Sequence, residues 1–304
     1  MDIRTGILCD TVEPLVISSL DELQRYNVRD LRPKVRTRPP FISMCTPEGF
    51  QVKEVHNRFM EGNVEKVDTE KAFREWSALY RLASRYGRVV MMQGDSTCPD
   101  MVFKANAGYV DPYSDLAIMS NMVHESRRKE TPLFKKWLEE RYRVEYLPDT
   151  VRWEGGGDTI EDTNRPITWC GYGQRSEWAA LPHVSRLLRQ PVIALKLVSK
   201  LYHLDTCFIV LPGGFVLYCP AAFDAEGQAM IEWMFDSDHR IAVTLEEALT
   251  FVCNALAFGR YILFPAGAEF IASRVERCGF VPRFTPMKEM YKSGGSNACC
   301  GLKH

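Results

Sequence analysis

The segment DTEKAFREWSALYRLASRYGRVVMM, residues 68–92, holds one complete helix-to-strand unit of this chain. Over residues 69–85 the apolar side chains recur at helical spacing and would form one face: Ala72, Phe73, Trp76, Leu79, Tyr80 and Ala83. Asp68 stands where an N-cap belongs, and Gly87 lies just past the expected end of the helix. The apolar run at 88–92 is typical of a strand. The segment therefore predicts an amphipathic helix that leads into a strand.

The same order of apolar strand, amphipathic helix and apolar strand occurs five times along the chain. Helical periodicity covers roughly 69–85, 130–142, 175–188, 224–234 and 267–277. The β-rich runs after these helices are 88–92, 144–148, 191–198, 240–244 and 280–285. Further strands are expected at 41–45, 101–110, 207–211, 215–219 and 261–265. Because the helix starts recur every 43 to 61 residues, the pattern favours a ring of similar units over a doubly wound sheet.

The first 37 residues differ from the rest of the chain. They are polar, carry prolines near their end, and precede the first repeated unit, and Arg38-Pro39-Pro40 marks the boundary. With 304 residues, 46% of them hydrophobic, the chain can bury a large core. We therefore expect an N-terminal extension at 1–37 and a single α/β domain at 38–304.

Composition excludes several classes of protein. The net charge is −1, from 38 basic and 39 acidic residues, so nothing favours nucleic acid or an anionic membrane as a partner. The longest apolar stretch, 249–272, is interrupted by polar and charged residues, and the N-terminus lacks the order of a signal peptide. The ten cysteines include no CxxC pair, which disfavours structural zinc and indicates reduced thiols in a cytoplasmic protein.

Residues able to do chemistry stand at comparable places in the repeated units. They are Asp100 and Asn106 in the second unit, Glu154 and Asp158 in the third, His203 and Asp205 in the fourth, Cys253 and Asn254 before the fifth, and Cys299 near the chain end. Equivalent positions in a ring of repeats point to a common axis, so segments a hundred residues apart can converge there. A thiol, an imidazole and a carboxylate together make an activated sulfur nucleophile.

Five motifs resemble one enzyme family in its own order. They are CPDMVFKANAG at 98–108, EGGGD at 154–158, GYGQRS at 171–176, HLD at 203–205 and GGSNAC at 294–299. Across about 40–303 the chain resembles the guanidino-group modifying, or pentein, superfamily. This superfamily includes dimethylarginine dimethylaminohydrolases, arginine deiminases and glycine amidinotransferases. The resemblance implies a five-bladed α/β-propeller of ββαβ-type units.

The resemblance also implies roles for individual residues. It makes Cys299 the nucleophile, His203 the general acid/base and Glu154 its carboxylate partner. The residues it implies for substrate binding are Asp100 and Asp205 as polar contacts, Phe103 as an aromatic wall, and Arg127 and Arg175 as partners of the substrate carboxylate. Asp158 is either a ligand contact or a cap. Asn106 departs from the methylarginine hydrolases, which tend to have an acidic residue there, and is similar to the arginine dihydrolases.

The chemistry follows from the substrate. A guanidinium carbon is a poor electrophile, so attack requires a thiolate, which a neighbouring cation favours. The leading expectation is hydrolysis of arginine or an N-substituted arginine through a covalent thiouronium, giving citrulline and ammonia or an alkylamine. The alternatives are further hydrolysis to ornithine, transfer of the amidine to an amine, or a binding protein without turnover. No cofactor or metal is expected, the ligand is a small guanidino or ureido amino acid, and a homo-oligomer is possible.

Several other cysteine, histidine and tryptophan residues are expected to have only structural roles. Cys300 is expected to be an inert buried thiol on the opposite face of a strand from Cys299. Four histidines have no partnered spacing and are assigned as ordinary residues: His56, His124, His183 and His239. Three tryptophans lie at helical spacing and are assigned to the core: Trp76, Trp137 and Trp178.

Overall fold

The computed structural model describes residues 13–31 and 34–304. Its strands are β1 Val16–Ile17, β2 Phe41–Cys45, β3 Arg88–Met92, β4 Gly108–Val110, β5 Leu116–Met119, β6 Arg143–Tyr146, β7 Thr159–Glu161, β8 Thr168–Tyr172, β9 Val192–Lys196, β10 Phe208–Leu211, β11 Phe215–Tyr218, β12 Arg240–Ala242, β13 Leu256–Phe258, β14 Tyr261–Pro265, β15 Val281–Thr285 and β16 Gly301–Lys303. The α-helices are α1 Leu20–Tyr26, α2 Thr69–Tyr86, α3 Glu125–Arg128, α4 Thr131–Glu139, α5 Ala180–Leu188, α6 Ala225–Met234, α7 Leu245–Ala248, α8 Ala272–Arg277 and α9 Lys288–Tyr291.

The first unit forms as its sequence predicts. The Asp68 carboxylate accepts the backbone N–H of Lys71 at 2.9 Å and caps α2, and Gly87 follows its last residue. Trp76 and Leu79 lie on the buried face. Phe73, predicted on the same face, is 47% exposed, so its assignment is wrong. The strand that follows the helix, β3, has the predicted bounds.

The described strands form five sheets that share one topology. In each sheet an antiparallel pair is joined by a third strand that runs parallel to the second. A parallel neighbour requires a crossover connection, and a helix supplies it here. The orders are β16-β2-β3, β4-β5-β6, β7-β8-β9 with β1 added, β10-β11-β12, and β13-β14-β15. The fold is therefore mixed α/β with five repeated sheets, as the periodicity indicated.

The last strand of the chain completes the first of the repeated sheets. Strand β16 pairs antiparallel with β2, with Gly301 opposite Met44 and Lys303 opposite Ile42. The first sheet is thus completed by residues nearly 260 positions away in sequence. This pairing holds Cys299, two residues before β16, beside the first unit.

A tight turn leads into the first strand of each sheet, and we call these five segments the lead-in turns. The residues two positions before those strands are Cys299, Asn106, Gly157, Thr206 and Asn254. Each turn is hydrogen-bonded to the next, and the last to the first. The bonds are Ala105 N to Cys299 O at 3.0 Å, Asn106 Nδ2 to Glu154 O at 3.3 Å, Leu204 N to Asp158 Oδ1 at 3.0 Å, Asn254 Nδ2 to Asp205 O at 3.1 Å and Ala298 N to Asn254 O at 3.2 Å. The lead-in turns consequently meet.

Three local predictions are wrong where these turns intervene. The strand expected over 101–110 is a 3₁₀ turn at Lys104–Ala107 followed by the short β4. The third helix, predicted from 175, begins at Ala180, and Ser176 lies before it with its hydroxyl donating to Asp158. Cys300 is a buried thiol as expected, but it lies in a turn before β16 and not on a strand.

The described part of the N-terminal extension packs on the rest of the chain. Strand β1 pairs in parallel with β9, with Val16 opposite Val192, and extends the third sheet. Helix α1 is capped by Ser19, and its Leu23 is fully buried in the largest apolar cluster. Residues 1–12 and 32–33 of the predicted extension lie outside the described residues.

The tryptophan assignments have different outcomes. Trp76 is buried and Trp137 half-buried, whereas Trp178 is 43% exposed, so its assignment to the core is wrong. Trp178 precedes α5 and contacts the ring of Tyr172 at the surface. Across residues 13–31 and 34–304, no helix has both the length and the apolar character needed to cross a bilayer.

Candidate active site

His203 and Glu154 form a buried pair across two adjacent lead-in turns. Nε2 of His203 lies 2.7 Å from Oε2 of Glu154, and both side chains are almost completely excluded from solvent. The backbone N–H of Val123 donates to Oε1 of Glu154, and the Ser176 hydroxyl accepts the Glu154 N–H. The carboxylate is therefore held in place. Because Nε2 of His203 is occupied, Nδ1 is the nitrogen available to a ligand.

The charges of this pair reinforce each other. Burial opposes ionisation of Glu154, but the hydrogen bond from His203 and the charges of Arg175 and Arg127 outweigh it and lower the pKa of the carboxyl. Burial likewise opposes protonation of His203, yet the charge of Asp158 and the hydrogen bond to Glu154 raise the pKa of the imidazole. The pair therefore favours an imidazolium against a carboxylate, which is the form that can donate a proton.

Cys299 lies between a carboxylate and an amide. Its thiol donates to Oδ2 of Asp205 at 3.3 Å, and Nδ2 of Asn254 lies 3.1 Å from the sulfur. Burial and the charge of Asp205 raise the pKa of the Cys299 thiol well above its usual range. The unliganded site therefore favours the thiol over the thiolate. A cation bound beside it would oppose both causes and favour the thiolate.

Asp205 is incompletely satisfied. Its Oδ1 atom is buried and has no hydrogen-bond partner among the described residues. Burial raises the pKa of this carboxyl to about 6. A buried acceptor without a donor is costly, since its hydration is lost without replacement. The free oxygen suits a ligand that brings N–H donors and positive charge.

A single pocket joins most of the predicted residues. Its walls are His56, Asn57, Met60, Asp100, Phe103, Asn106, Arg127, Arg175, Tyr202, His203, Ser293, Gly295 and Cys299. Seven of the ten predicted site residues are among them. Glu154 and Asp158 lie behind His203, and Asp205 borders a neighbouring cavity while contacting Cys299.

The pocket wall is closely packed where Gly295 passes Phe103. A Cβ at position 295 would lie 2.3 Å from the Phe103 ring, so only glycine fits there. Phe103 also meets the ring of Phe50 edge-on at 5.6 Å. The glycine-rich turn before Cys299 therefore lets the aromatic wall approach the chain that carries the thiol.

Arg127 is clamped by protein groups. Its guanidinium makes two hydrogen bonds to the Glu130 carboxylate, at 2.9 and 2.8 Å, and a third to Oδ1 of Asn106 at 3.0 Å. It also donates to the carbonyl of Asp100 at 3.2 Å. Burial raises the pKa of Glu130 to about 7 in spite of the adjacent cation. Arg127 thus orients Asn106, while Oδ1 of Asp100 accepts the hydroxyl of Ser293 at 2.8 Å.

Arg175 and Asp158 support the pair from two sides. Arg175 lies over the Tyr202 ring at 4.7 Å and donates to the His56 carbonyl at 3.0 Å. Its nearest approach to Glu154 is 3.5 Å. Asp158 accepts the hydroxyl of Ser176 at 2.7 Å and the N–H of Leu204 at 3.0 Å. Both Asp158 oxygens thus accept hydrogen bonds from protein groups, and the one from Leu204 holds the turn that carries His203.

Several residues that line the pocket were not predicted from the sequence. His56, Asn57 and Met60 come from the segment between β2 and α2, which has no motif. The ring of His56, assigned as ordinary, stacks on His124 at 4.0 Å and lines the pocket. The sequence predicts Asn254 near the axis but gives it no role, although its amide contacts the sulfur. Only the tertiary structure brings these side chains to the site.

No group of three or more His, Cys, Asp or Glu side chains within the described ranges is placed to hold a metal ion.

The chain is similar to known proteins over most of its length. The family profile "N,N dimethylarginine dimethylhydrolase, eukaryotic" matches residues 46–269. The chain is 36% identical over 264 residues to the bifunctional arginine dihydrolase/ornithine cyclodeaminase ArgZ of Synechocystis, covering 86% of this chain and 37% of ArgZ. It is 31% identical over 265 residues to the N(G),N(G)-dimethylarginine dimethylaminohydrolase of Mycobacterium tuberculosis, covering 86% of this chain and 84% of that protein.

Solved structures give the same result. The N-terminal domain of ArgZ bound to product superposes with a TM-score of 0.85 at 36% identity, covering 88% of this chain and 97% of that one. A variant of the same domain, covalently bound to a reaction intermediate, also gives 0.85 at 36% identity, covering 87% and 97%. The chain thus corresponds to one domain of ArgZ and spans little more than a third of the full protein.

Proposed function

This chain belongs to the eukaryotic N,N-dimethylarginine dimethylhydrolase family, and we propose that it is a cysteine-dependent hydrolase of the guanidino group of arginine or an N-substituted arginine. The observation that carries the proposal is one pocket lined by both Cys299 and His203. Glu154 orients the imidazole from behind, and Asp205 presents a free oxygen beside the sulfur. These are the groups that attack on a guanidinium carbon requires.

Substrate binding comes first. The carboxylate of Asp205 accepts guanidinium N–H groups at its unpartnered oxygen, and this places the carbon near the sulfur of Cys299. The bound cation lowers the pKa of the thiol, which burial had raised. The resulting thiolate adds to the guanidinium carbon. The proton of the thiol passes to solvent when the cation binds, because His203 is already protonated, and the free protein does not need to maintain a thiolate.

The leaving amine needs a proton. His203, favoured as the imidazolium by Glu154 and Asp158, donates it from Nδ1 as the C–N bond breaks. Ammonia or an alkylamine departs, and a thiouronium remains on Cys299. His203, now neutral, takes a proton from water, and the hydroxide adds to the same carbon. Breaking the C–S bond then releases citrulline and regenerates the thiol.

We propose further that hydrolysis continues to ornithine. The overall reaction is arginine plus two water molecules giving ornithine, carbon dioxide and two ammonia molecules. Its second half acts on a neutral ureido group, whose oxygen needs a donor. The Nδ2 of Asn106 has two hydrogens, of which one is directed to the Glu154 carbonyl, whereas a carboxylate at this position would have none to offer. The dihydrolase activity named for ArgZ accords with this choice.

Arg127 and Arg175 stand in the pocket wall as candidate partners of the substrate α-carboxylate. Arg175 is the better placed of the two, because its guanidinium lies over the Tyr202 ring and its contacts with described residues are a 3.0 Å hydrogen bond to the His56 carbonyl and a longer one, 3.5 Å, to Glu154. Arg127 is committed to Glu130 and Asn106. We assign Arg175 to the carboxylate and Arg127 to the positioning of Asn106.

We propose that the five sheets are the blades of an α/β-propeller around one axis. Their common topology and the circle of hydrogen bonds through the five lead-in turns support this arrangement. The catalytic groups would then stand at the axis, because each comes from a lead-in turn. Residues 38–304 would form this single domain, with the extension packed against one blade.

The decisive experiment is a substrate panel with amino-acid analysis of the products. Purified protein is incubated with L-arginine, asymmetric dimethylarginine and L-citrulline, and ornithine, citrulline, ammonia and dimethylamine are measured. We expect ornithine and ammonia from arginine. Citrulline as the final product would leave the hydrolase proposal intact and remove its second half. No product from any of the three would refute the hydrolase.

The matched control is Cys299→Ser. This change should abolish product formation while leaving the thermal unfolding transition near that of the unaltered protein, since the two side chains differ little in size. Turnover retained by the variant would place the nucleophile elsewhere. An amidine transferred to an added amine, in place of hydrolysis, would identify a transferase that uses the same thiouronium.

A further inference from the structure

Asn254 touches the sulfur of the proposed nucleophile and has no assigned role. Its Nδ2 lies 3.1 Å from Sγ of Cys299 and 3.1 Å from the carbonyl oxygen of Asp205. Its Oδ1 accepts the backbone N–H of Cys299 at 3.2 Å. The side chain is fully buried. One amide thus contacts the thiol, its backbone and the neighbouring turn.

The orientation of this amide is determined by two backbone groups. A backbone N–H can only donate, so the atom facing Cys299 N must be the oxygen. A backbone carbonyl can only accept, so the atom facing Asp205 O must be the nitrogen. Rotating the amide by half a turn would place its nitrogen against the N–H of Cys299, donor against donor, and its oxygen against the carbonyl of Asp205, acceptor against acceptor. Asn254 therefore presents an N–H, and not a lone pair, to the sulfur.

The backbone around Asn254 is built to keep it there. Phe251 has a φ of +61°, a conformation that bulky residues rarely adopt, and its carbonyl accepts the N–H of Asn254 at 2.9 Å. The ring of Phe251 is buried between Phe59 and Tyr291. The carbonyl of Asn254 in turn accepts the N–H of Ala298 at 3.2 Å. The strained turn is thus tied directly to the chain that carries the thiol.

We propose that Asn254 is a catalytic residue whose amide holds Cys299 in position and stabilises its sulfur as the anion. The proposal rests on Cys299 being the nucleophile of the proposed hydrolase. Two contacts act on the sulfur in opposite senses. Asp205 accepts a hydrogen bond from the S–H and favours the thiol, whereas the N–H of Asn254 binds an anion more strongly than a neutral sulfur and favours the thiolate. When a guanidinium occupies Asp205, the amide remains as the donor to the attacking sulfur.

The test measures the thiol without any substrate. The rate at which iodoacetamide alkylates Cys299 is followed across a pH series, with the modified peptide identified by mass spectrometry so that Cys300 is scored separately. A hydrogen bond to a charged group is worth about 1.5–3 kcal/mol, which corresponds to about 1 to 2 pH units. Asn254→Ala should therefore need a pH higher by that amount for half-maximal alkylation, or react roughly 10- to 100-fold more slowly at a fixed lower pH.

The matched control is Asn297→Ala. Asn297 is also fully buried and lies two residues before Cys299, but its amide bonds Leu263 O and the Thr285 hydroxyl and makes none of the hydrogen bonds to the sulfur. Its loss should destabilise the fold to a similar extent and leave the pH midpoint of Cys299 alkylation unchanged. An equal shift in both variants would show that Asn254 acts only through packing, and would overturn the proposal.

A second variant covers the case in which Asn254→Ala fails to fold. Asn254→Asp keeps the shape and the acceptor for Cys299 N–H, but an ionised carboxylate has no proton to donate to sulfur. It should raise the pH midpoint in the same direction. An unchanged midpoint in a folded variant would refute the role of Asn254 even if arginine is hydrolysed. A shifted midpoint in a protein that acts on none of the panel compounds would keep the amide's role and refute the hydrolase.

Discussion

Adding one methyl group at Gly157 should damage the site without replacing a catalytic side chain. Gly157 lies in the lead-in turn of the third sheet, between the side chains of Asn106 and His203. A Cβ built there lies 2.4 Å from Nδ2 of Asn106 and 3.2 Å from the nearest atoms of the His203 ring. The backbone of Gly157 is not in the left-handed region, so alanine fits its dihedral angles and the whole effect of Gly157→Ala is steric.

The displacement sets the size of the effect. Ordinary contacts begin near 3.4 Å, so Asn106 Nδ2 would have to move by about 1 Å. That amide has little freedom, because Arg127 holds its oxygen and the Glu154 carbonyl accepts from its nitrogen. The His203 ring would shift by a few tenths of an ångström as well. A misplacement of about 1 Å costs roughly 10²-fold in rate, and overpacking costs about 1–3 kcal/mol in stability.

The assay compares kcat for arginine and the thermal unfolding transition in Gly157→Ala and in Gly214→Ala. Gly214 lies in the turn between β10 and β11, has a φ of +82° and has nothing within 4 Å of an added Cβ. Alanine there should cost about 1–2 kcal/mol of stability through backbone strain, away from the pocket. We expect kcat to fall roughly 10²-fold in the first variant and to stay within about twofold in the second.

A folded Gly157→Ala protein with kcat near that of the unaltered chain would contradict this prediction. It would mean that the side chains of Asn106 and His203 can move aside without a loss of kcat, and that their close packing does not set the geometry of the reaction. An equal fall of kcat in both variants would instead trace the loss to stability.

Two further predictions concern charge. Burial raises the pKa of Asp205 to about 6, so protonation at lower pH removes the charge that binds a cation. The value of kcat/KM for arginine should therefore fall about tenfold per pH unit below pH 6. A kcat/KM that does not change with pH below 6 would contradict this prediction. Glu154→Gln removes a charge that raises the pKa of His203, so an NMR titration should show that pKa lowered and kcat should fall by roughly 10²- to 10⁴-fold. An unchanged pKa of His203 in this variant would mean that Glu154 does not influence the protonation of the imidazole.

The units of the fold were predictable because their signals are local. Asp68, the apolar face of α2 and Gly87 lie within one segment, and helix capping and amphipathic periodicity act over a few residues. The same signals located β2, β3 and β14 with their observed bounds. The family motifs also named the pocket residues, since Asp100, Asn106 and Cys299 stand in segments of specific sequence.

The lead-in turns were not predictable in this way. The run at 101–107 is apolar enough for a strand, yet it folds as turns, because Ala105 N bonds the Cys299 carbonyl and Asn106 bonds Glu154 across sheets. Tertiary hydrogen bonds overrule a weak local preference there. His56 and Asn254 do not belong to a recognisable motif. Their flanking sequence therefore does not predict that His56 lines the pocket or that Asn254 contacts the sulfur.

Periodicity and motifs are properties of short segments, so the sequence was enough to predict the repeated α/β units and to single out the thiol, imidazole and carboxylate that we propose for catalysis. Which of these side chains touch one another depends on the folded chain. The contacts of Cys299 with Asp205 and Asn254, and of His203 with Glu154, join residues 45 to 94 positions apart. They exist because β16 closes the first sheet and the lead-in turns bond to one another, and such long-range pairing depends on the packing of the whole chain.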